Sequence, residues 1–108
     1  MRRDEKEWKK RKQKEHAVIF DAVRGVIHEW DPYGLLALGC PQDEFDGEIQ
    51  AVVRQIDRIG SPQDAVHVLS RIFSSYFEPE RFRPENCQVI GAKLYQVLQE
   101  RGILEGSQ

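Results

Sequence analysis

The stretch Trp30-Asp31-Pro32-Tyr33-Gly34 decides how this chain folds. Pro32 disfavours helical backbone in the residue before it, so a helix that reaches this point has to end near Asp31. Asp, Pro and Gly at the first, second and fourth positions are typical of a type I turn. The apolar run at residues 35–38 is too isolated to be a strand, because no other part of the chain alternates with period two. We expect this run to be a loop or a single helical turn plugged into the core.

Apolar residues recur at three- and four-residue spacing on both sides of this turn, which predicts helices. Before the turn, the apolar face begins at residue 17 or 18, and the charged residues upstream would extend the same helix as a solvated rod. After the turn, Asp43 is the predicted cap of a second helix, with Asp46 as a weak capping partner. Gly60 is expected to end that helix in a left-handed conformation.

Two further helices are predicted in the second half of the chain. Ser61-Pro62-Gln63-Asp64 starts the third helix with a capping serine, a proline at the first helical position and an acid at the third, and Pro79 ends it. Residues 78–83 are a polar connection, and the fourth helix runs from about Pro84 to Gly102. Three aromatic residues fall at core spacing on these helices: Tyr76, Phe77 and Tyr95. The sequence therefore predicts an all-α fold, a compact four-helix bundle or an orthogonal helical array, with helix 1 extended by the charged N-terminal segment.

Charge is unevenly distributed along the 108 residues. Residues 1–16 contain eight Lys or Arg against four Asp or Glu, a net charge of +4, whereas the rest of the chain carries −6. The length corresponds to one domain, so we expect a basic extension at 1–16, a single helical domain at 17–104 and a tail at 105–108. No apolar run approaches the roughly 18 residues of a membrane span, and the N-terminus has no apolar signal segment. A cytoplasmic protein without membrane contact is the expectation.

Residues 26–48 read VIHEWDPYGLLALGCPQDEFDGE. This segment resembles a family of small bacterial helical domains of unknown function, with the pattern Trp-Asp-Pro-x-Gly-Leu followed by a helix start of the form Asp-Glu-[Tyr/Phe]-Asp. The likeness covers about residues 17–100, includes a helical face that ends in Phe73 and Phe77, and leaves out the basic extension. The resemblance implies a small helical fold and brings no particular activity, substrate or cofactor. Similar patterns occur among small immunity-like proteins that neutralise bacterial toxins, which motivates a binding hypothesis.

The strongest candidate for a site combines the turn with the acidic residues that follow it. Its members are Trp30, Asp31, Tyr33, Asp43, Glu44, Asp46 and Glu48. In an architectural interpretation, the tryptophan plugs the core, Asp31 caps the turn, and the carboxylates gather at a helix start because the helix dipole favours them there. In a functional interpretation, the same residues form an acidic, aromatic-bearing surface that binds a protein partner, with a basic partner favoured by charge complementarity. The two are compatible, and the second predicts a non-enzymatic, immunity-like binding module.

We expect no catalytic residue, no metal and no cofactor, because the sequence lacks the motifs that would hold them. The acidic stretch lacks the alternating ligands of a calcium loop, and His28 with Asp31 has no evident third zinc ligand. Cys40 and Cys87 form no Cys-x-x-Cys pair, and we expect reduced, half-buried thiols rather than a disulfide. A thiol enzyme would need one of them to have a lowered pKa.

The basic extension supports a second class of function, association with nucleic acid. Its candidate residues are Arg2, Arg3, Lys9, Lys10, Arg11, Lys12 and Lys14. Basic residues interleaved with Trp8 suit contacts to phosphates and bases, but four acids interrupt the run, and a solvated helix or tail is the simpler interpretation. A third alternative is a structural or assembly role without independent biochemical activity. The sequence leaves the oligomeric state open.

Overall fold

The structure, a computed structural model, describes the backbone of residues 2–104 and the side chains of residues 16–104. Within that range it contains four α-helices, short 3₁₀ turns between them, and no strand. The helices are α1 (Arg2–Trp30), α2 (Asp46–Arg54), α3 (Pro62–Tyr76) and α4 (Gln88–Glu100). The prediction of an all-α fold with four helices is confirmed.

One hydrophobic core lies between the helices, since α1 packs against α2 and α4, and α3 packs against the same two. Its largest fully buried side chains are Phe45, Phe73, Phe82, Ile27, Ile49, Leu69, Leu94 and Leu98. The closest approach is between α3 and α4 at Gly91, where an added Cβ would lie 2.4 Å from Val66 Cγ2 and 2.8 Å from Val66 N. Only glycine lets the backbones of these two helices come so close.

The start and end of α2 differ from the sequence prediction. Asp43 does not cap the helix, because α2 begins at Asp46 and no side chain caps it. Two backbone bonds form turns before the helix, from the Glu44 N–H to the Pro41 carbonyl and from the Asp46 N–H to the Asp43 carbonyl. Phe45, the residue before the helix, is completely buried, and its buried ring fixes the position of the start of α2. At the other end, a 3₁₀ turn (Ile56–Arg58) follows the helix.

The predicted left-handed stop at Gly60 is also wrong. Gly34, Gly39 and Gly102 have positive φ, whereas Gly60 does not. The 3₁₀ turn already ends α2, so no left-handed residue is needed there.

The helix boundaries of the second half are largely as predicted. Ser61 caps α3 by accepting a hydrogen bond from the Asp64 N–H at 3.1 Å, and the Asp64 carboxylate accepts one from the Gly60 N–H at 3.0 Å. Gly102 ends α4 with φ +69°, and the Ile103 N–H donates to the Leu98 carbonyl at 2.9 Å. That bond from the residue after the glycine is the signature of a Schellman motif.

The connection after α3 is the clearest failure of the sequence prediction. Instead of a purely polar link, it is a 3₁₀ turn (Pro79–Phe82) that buries Phe82 to 2% exposure. The Phe82 carbonyl accepts hydrogen bonds from Ser70 Oγ and Ser74 Oγ of α3, and from Cys87 Sγ. Tyr76, which the spacing placed in the core, is 52% exposed, while Phe77 and Tyr95 are half-buried.

The backbone of the basic extension continues α1 without interruption. A helix of 29 residues is about 43 Å long at 1.5 Å per residue. The side chains of the seven candidate nucleic-acid residues, and the tail at 105–108, lie outside the described part of the chain. None of the helices within residues 2–104 combines the length and the apolar character that crossing a membrane requires.

Candidate functional site

The turn after α1 has an unusual backbone. Asp31 and Tyr33 both have positive φ, at 43° and 70°, which is uncommon for residues other than glycine. The Gly34 N–H donates to the Asp31 carbonyl at 2.8 Å, but Tyr33, at φ 70° and ψ −3°, has the dihedrals of the third position of a type II turn. The predicted type I turn is therefore wrong, and the surrounding contacts have to hold a strained backbone in place.

The Asp31 carboxylate supplies some of those contacts. Its Oδ1 accepts a hydrogen bond from the Leu36 N–H at 2.9 Å, and its Oδ2 accepts one from the Ala37 N–H at 3.1 Å. Both donors belong to a single helical turn that closes with the Leu38 N–H on the Gly34 carbonyl at 3.0 Å. The carboxylate is therefore engaged within the chain as the cap of this turn.

The apolar run at residues 35–38 is a single helical turn, one of the two forms that we expected. It ends in a Schellman motif around Gly39, which has φ +94°, and the Cys40 N–H donates to the Leu35 carbonyl. Leu35 and Leu36 pack against the core. Leu38 is 79% exposed, so only part of the run is plugged into the interior.

The two aromatic members of the predicted site belong to a cluster that faces inward. Trp30 has its ring centroid 4.9 Å from that of Phe73, and Tyr33 lies 5.4 Å from Phe77. Both also contact Phe82 at 5.7 Å in edge-to-face geometry. On its outer side, Tyr33 is covered by the Arg81 guanidinium, 4.2 Å from the ring centroid. The rings of Trp30 and Tyr33 therefore pack within the aromatic cluster and contribute to the stability of the fold.

The acidic members of the predicted site are placed quite differently from one another. Asp43 and Glu44 are exposed, and neither forms a hydrogen bond or ion pair through its side chain with any described residue. Asp46 is half-buried, with Oδ1 unpartnered among the described side chains. Glu48 is only 6% exposed. Burial raises the pKa of Glu48 above its usual range, a backbone N–H opposes the shift, and the nearby charges of Glu44 and Asp46 add to it.

An exposed aromatic residue that the sequence reasoning assigned to the core lies beside these carboxylates. A Cβ placed on Gly47 would be 3.7 Å from Cε2 of the Tyr76 ring, so this ring lies against the first turn of α2. Successive residues of a helix project about 100° apart, which is the signal in the sequence that Tyr76 and Phe77 would not both point at the core centre. In the structure α3 ends at Tyr76, and Phe77 follows it with non-helical backbone. We define the acidic end as Asp43, Glu44, Asp46, Gly47 and Tyr76.

Groups for metal or thiol chemistry do not converge in the described part of the chain. No group of three or more His, Cys, Asp or Glu residues there could hold a metal ion. Cys40 and Cys87 are free thiols, half-buried and buried respectively. Burial raises the pKa of the Cys87 thiol to about 11, the opposite of what a thiolate nucleophile needs. His67 is exposed, and His28 is half-buried with Nε2 unpartnered within residues 16–104.

Residues of the described part of the chain line two surface grooves that bear on the search for a site. The larger, of about 440 Å³, runs between α1 and α4 past Trp30 and Val89, with the ion pair of Lys93 and Glu29 along it. The smaller, of about 180 Å³, lies between α2 and α3. Its lining consists of Ala51, Arg54, Gln55, Val68, Arg71 and Ile72. We call this second feature the arginine groove.

The resemblance noted in the sequence has no independent support from known proteins. Comparisons with protein-family models, with curated proteins and with solved structures found no match to this chain. The likeness to the Trp-Asp-Pro-x-Gly-Leu domains and to immunity-like proteins stays a prediction.

Proposed function

We propose that this chain is a non-enzymatic protein-binding module that docks a basic protein through its acidic end. The observation that carries the proposal is the state of Asp43 and Glu44, which are exposed and whose carboxylates have no hydrogen bond or ion pair with residues 16–104. Tyr76, whose ring lies against Gly47 in the first turn of α2, is 52% exposed. Carboxylates that stabilise a fold are usually engaged with N–H groups or cations, as that of Asp31 is.

No basic residue interrupts the stretch of chain that contains Asp43, Glu44 and Asp46. Between Arg24 and Arg54 the chain contains six Asp or Glu residues and no Lys or Arg, although Glu29 pairs with Lys93 and Glu48 is buried. A single-sign surface of this kind raises the rate of encounter with a partner of opposite charge, and an exposed aromatic ring supplies desolvated contact area once the two have met. A basic toxin or nuclease, neutralised in the manner of an immunity protein, is a partner class with the required charge.

Co-purification of the tagged full chain from the cells that produce it, followed by mass spectrometry, tests the proposal. We expect a basic protein to be recovered by the wild-type chain at low ionic strength. Reversal of two charges, Asp43→Lys with Glu44→Lys, should abolish recovery, because the attraction at the acidic end becomes repulsion.

The matched control is Glu85→Lys with Glu100→Lys, which changes the net charge equally at exposed positions elsewhere. This control should retain the partner, and circular dichroism should show that both variants keep the helical fold. Equal loss in both variants would mean that only the net charge matters. Retention of the same partner by the reversed acidic end would eliminate that end as the docking surface.

A second candidate function, nucleic-acid association through residues 1–16, is favoured by the continuity of α1 from Arg2 to Trp30. This continuous backbone joins a segment whose sequence carries a net charge of +4 to the acidic domain. Binding to labelled DNA or RNA should weaken steeply with salt and vanish on removal of residues 1–16. Fluorescence anisotropy measures both effects, and binding that survives the truncation would exclude the extension as the contact.

A further inference from the structure

The arginine groove has positive charge without an internal counter-charge. Arg54 and Arg71 are exposed, and within residues 16–104 neither guanidinium takes part in an ion pair or a hydrogen bond. Lys93 pairs with Glu29 and Arg101 pairs with Asp21 at 3.2 Å, whereas Arg24, Arg58 and Arg83 also lack an ion pair or hydrogen bond with a described side chain. What distinguishes the groove is that two such guanidiniums line it together. Two free guanidiniums therefore lie beside an apolar floor in a domain with a net negative charge.

The acidic end and the arginine groove share one face of the molecule. α2 and α3 run antiparallel there, because Gly47 lies next to Tyr76, and Ala51 and Ile72 line the same groove. Seven residues of helix separate Gly47 from Arg54, about 10 Å along the axis. The face formed by α2 and α3 is thus negative at one end, apolar in the middle and positive at the other.

We infer that this face pairs with the same face of a second copy of the chain. A two-fold axis that lies in the interface at right angles to the helices reverses their direction. The acidic end of each copy then meets the arginine groove of the other, so that both contacts form twice, as in any isologous interface. Tyr76 of each copy gives one guanidinium of the other an aromatic ring on which to stack, and the floor residues Ala51 and Ile72 lie at the centre.

The size and the exposed charges of the face also determine how strongly the dimer should depend on salt. A standard interface takes about 800 Å² from each partner, roughly a tenth of the 7401 Å² accessible surface of this chain. Most of the attraction comes from exposed charges, which salt screens over about 10 Å at 0.1 M. The dimer should therefore form at low salt and dissociate as the salt concentration rises.

Sedimentation equilibrium of the full chain with two charge-reversal variants tests the inference. The groove variant is Arg54→Glu with Arg71→Glu, and the end variant is Asp43→Lys with Glu44→Lys. Each should be monomeric alone, with a dimer dissociation constant at least about tenfold above that of the wild type, because like charges then face each other. An equimolar mixture of the two should form a mixed dimer, since both contacts regain opposite charges. A fluorescent label on the N-terminal amine of one variant reports that mixed species.

The mixture also controls for folding, because a misfolded variant would not regain a partner. Arg24→Glu with Arg83→Glu makes the same charge change outside the face, on α1 and in the connection after α3, at two guanidiniums that also have no ion pair with a described residue. This variant should dimerise like the wild type. A wild type that stays monomeric at 50 mM salt and several hundred micromolar protein, or a mixture that fails to associate, would overturn the inference. Both proposals use the acidic end, but only the dimer requires Arg54 and Arg71. Arg54→Glu with Arg71→Glu should therefore abolish the dimer and leave recovery of the basic partner intact, so failure of one proposal is distinguishable from failure of the other.

Discussion

The turn at residues 30–34 lies close in the sequence to residues 43–47 of the acidic end. Both regions carry acidic and aromatic side chains, yet they differ in whether those side chains have partners within the fold. In the turn, both carboxylate oxygens of Asp31 accept backbone hydrogen bonds, and the ring of Tyr33 lies between Phe82 and the Arg81 guanidinium. At the acidic end, Asp43 and Glu44 have no partner among the described residues, and Tyr76 is half-exposed. The contrast separates groups that are bonded within the fold from groups that form no bond with any described residue.

The same contrast divides the seven residues that sequence reasoning placed in one site. Trp30, Asp31 and Tyr33 stabilise the reversal of the chain, and Glu48 is buried. Asp43, Glu44 and Asp46 belong to the acidic end, together with Tyr76 from α3. Substitutions in the turn should therefore change stability, whereas substitutions at the acidic end should change association.

The largest expected effect is that of Phe82→Ala, which removes the ring contacted by both Trp30 and Tyr33. Truncation of a buried phenylalanine costs about 3–5 kcal/mol, so we expect a loss of that size in the free energy of unfolding measured with urea. Val89→Ala is the control, because Val89 is 85% exposed and its truncation should change stability by less than about 0.5 kcal/mol. A cost for Phe82→Ala as small as that of the control would show that the turn does not depend on the aromatic cluster.

A matched pair of carboxylates gives the next largest effect. Asp31→Asn keeps the shape and suits a residue with positive φ, but it replaces one acceptor oxygen with an amide that faces a backbone N–H. We expect a loss of about 1–2 kcal/mol in the free energy of unfolding. Asp43→Asn removes the same charge where no described residue contacts it, so stability should change by less than about 0.5 kcal/mol.

Binding and unfolding measured on this pair separate the two regions. Asp43→Asn should weaken capture of the basic partner, whereas Asp31→Asn should leave capture intact at temperatures well below its melting transition. The reverse pattern would place the docking surface at the turn. It would contradict the assignment of stability to the turn and of binding to the acidic end.

The helices were predictable because their signals are local. The capping pair Ser61 and Asp64, the left-handed Gly102 and the proline after Trp30 each fix a boundary within a few residues. The helix count and the fold class followed from them. The positive φ of Tyr33 was not predictable, because a tyrosine adopts it only when tertiary contacts such as the Phe82 ring and the Arg81 guanidinium hold it there.

The candidate site was predictable only in part, for the same physical reason. A run of carboxylates near a helix start is visible in the sequence, but which of them is buried depends on how α2 packs. The sequence placed Phe82 in a polar connection because the residues close to it are charged, namely Glu80, Arg81 and Arg83. Tyr76 and the arginine groove join the face only through the antiparallel contact of α2 with α3, which no local pattern encodes.

The smallest effect expected is a pH dependence from Glu48, and it tests whether this residue belongs with the interior or with the acidic end. Burial raises the pKa of Glu48 in the folded chain, so the folded state holds its proton more tightly than the unfolded state does. The stability gained from the protonated form is fully present below the ordinary value near 4.5 and is lost as the pH rises through the raised folded value.

Glu48→Gln mimics the protonated form at every pH, so it should match the wild type in acid and be more stable than the wild type at neutral pH. Urea unfolding across pH 4–8 measures the difference. Glu85→Gln is the control, because it removes an exposed carboxylate that is not among the groups that shift the pKa of Glu48. If Glu48 belongs to the interior, its substitution should leave capture of the basic partner unchanged. The opposite result would be that Glu48→Gln weakens capture as strongly as Asp43→Asn and that stability does not depend on pH. The Glu48 carboxylate would then reach the surface when the partner binds, and the acidic end would extend further into α2 than the exposure of Glu48 indicates.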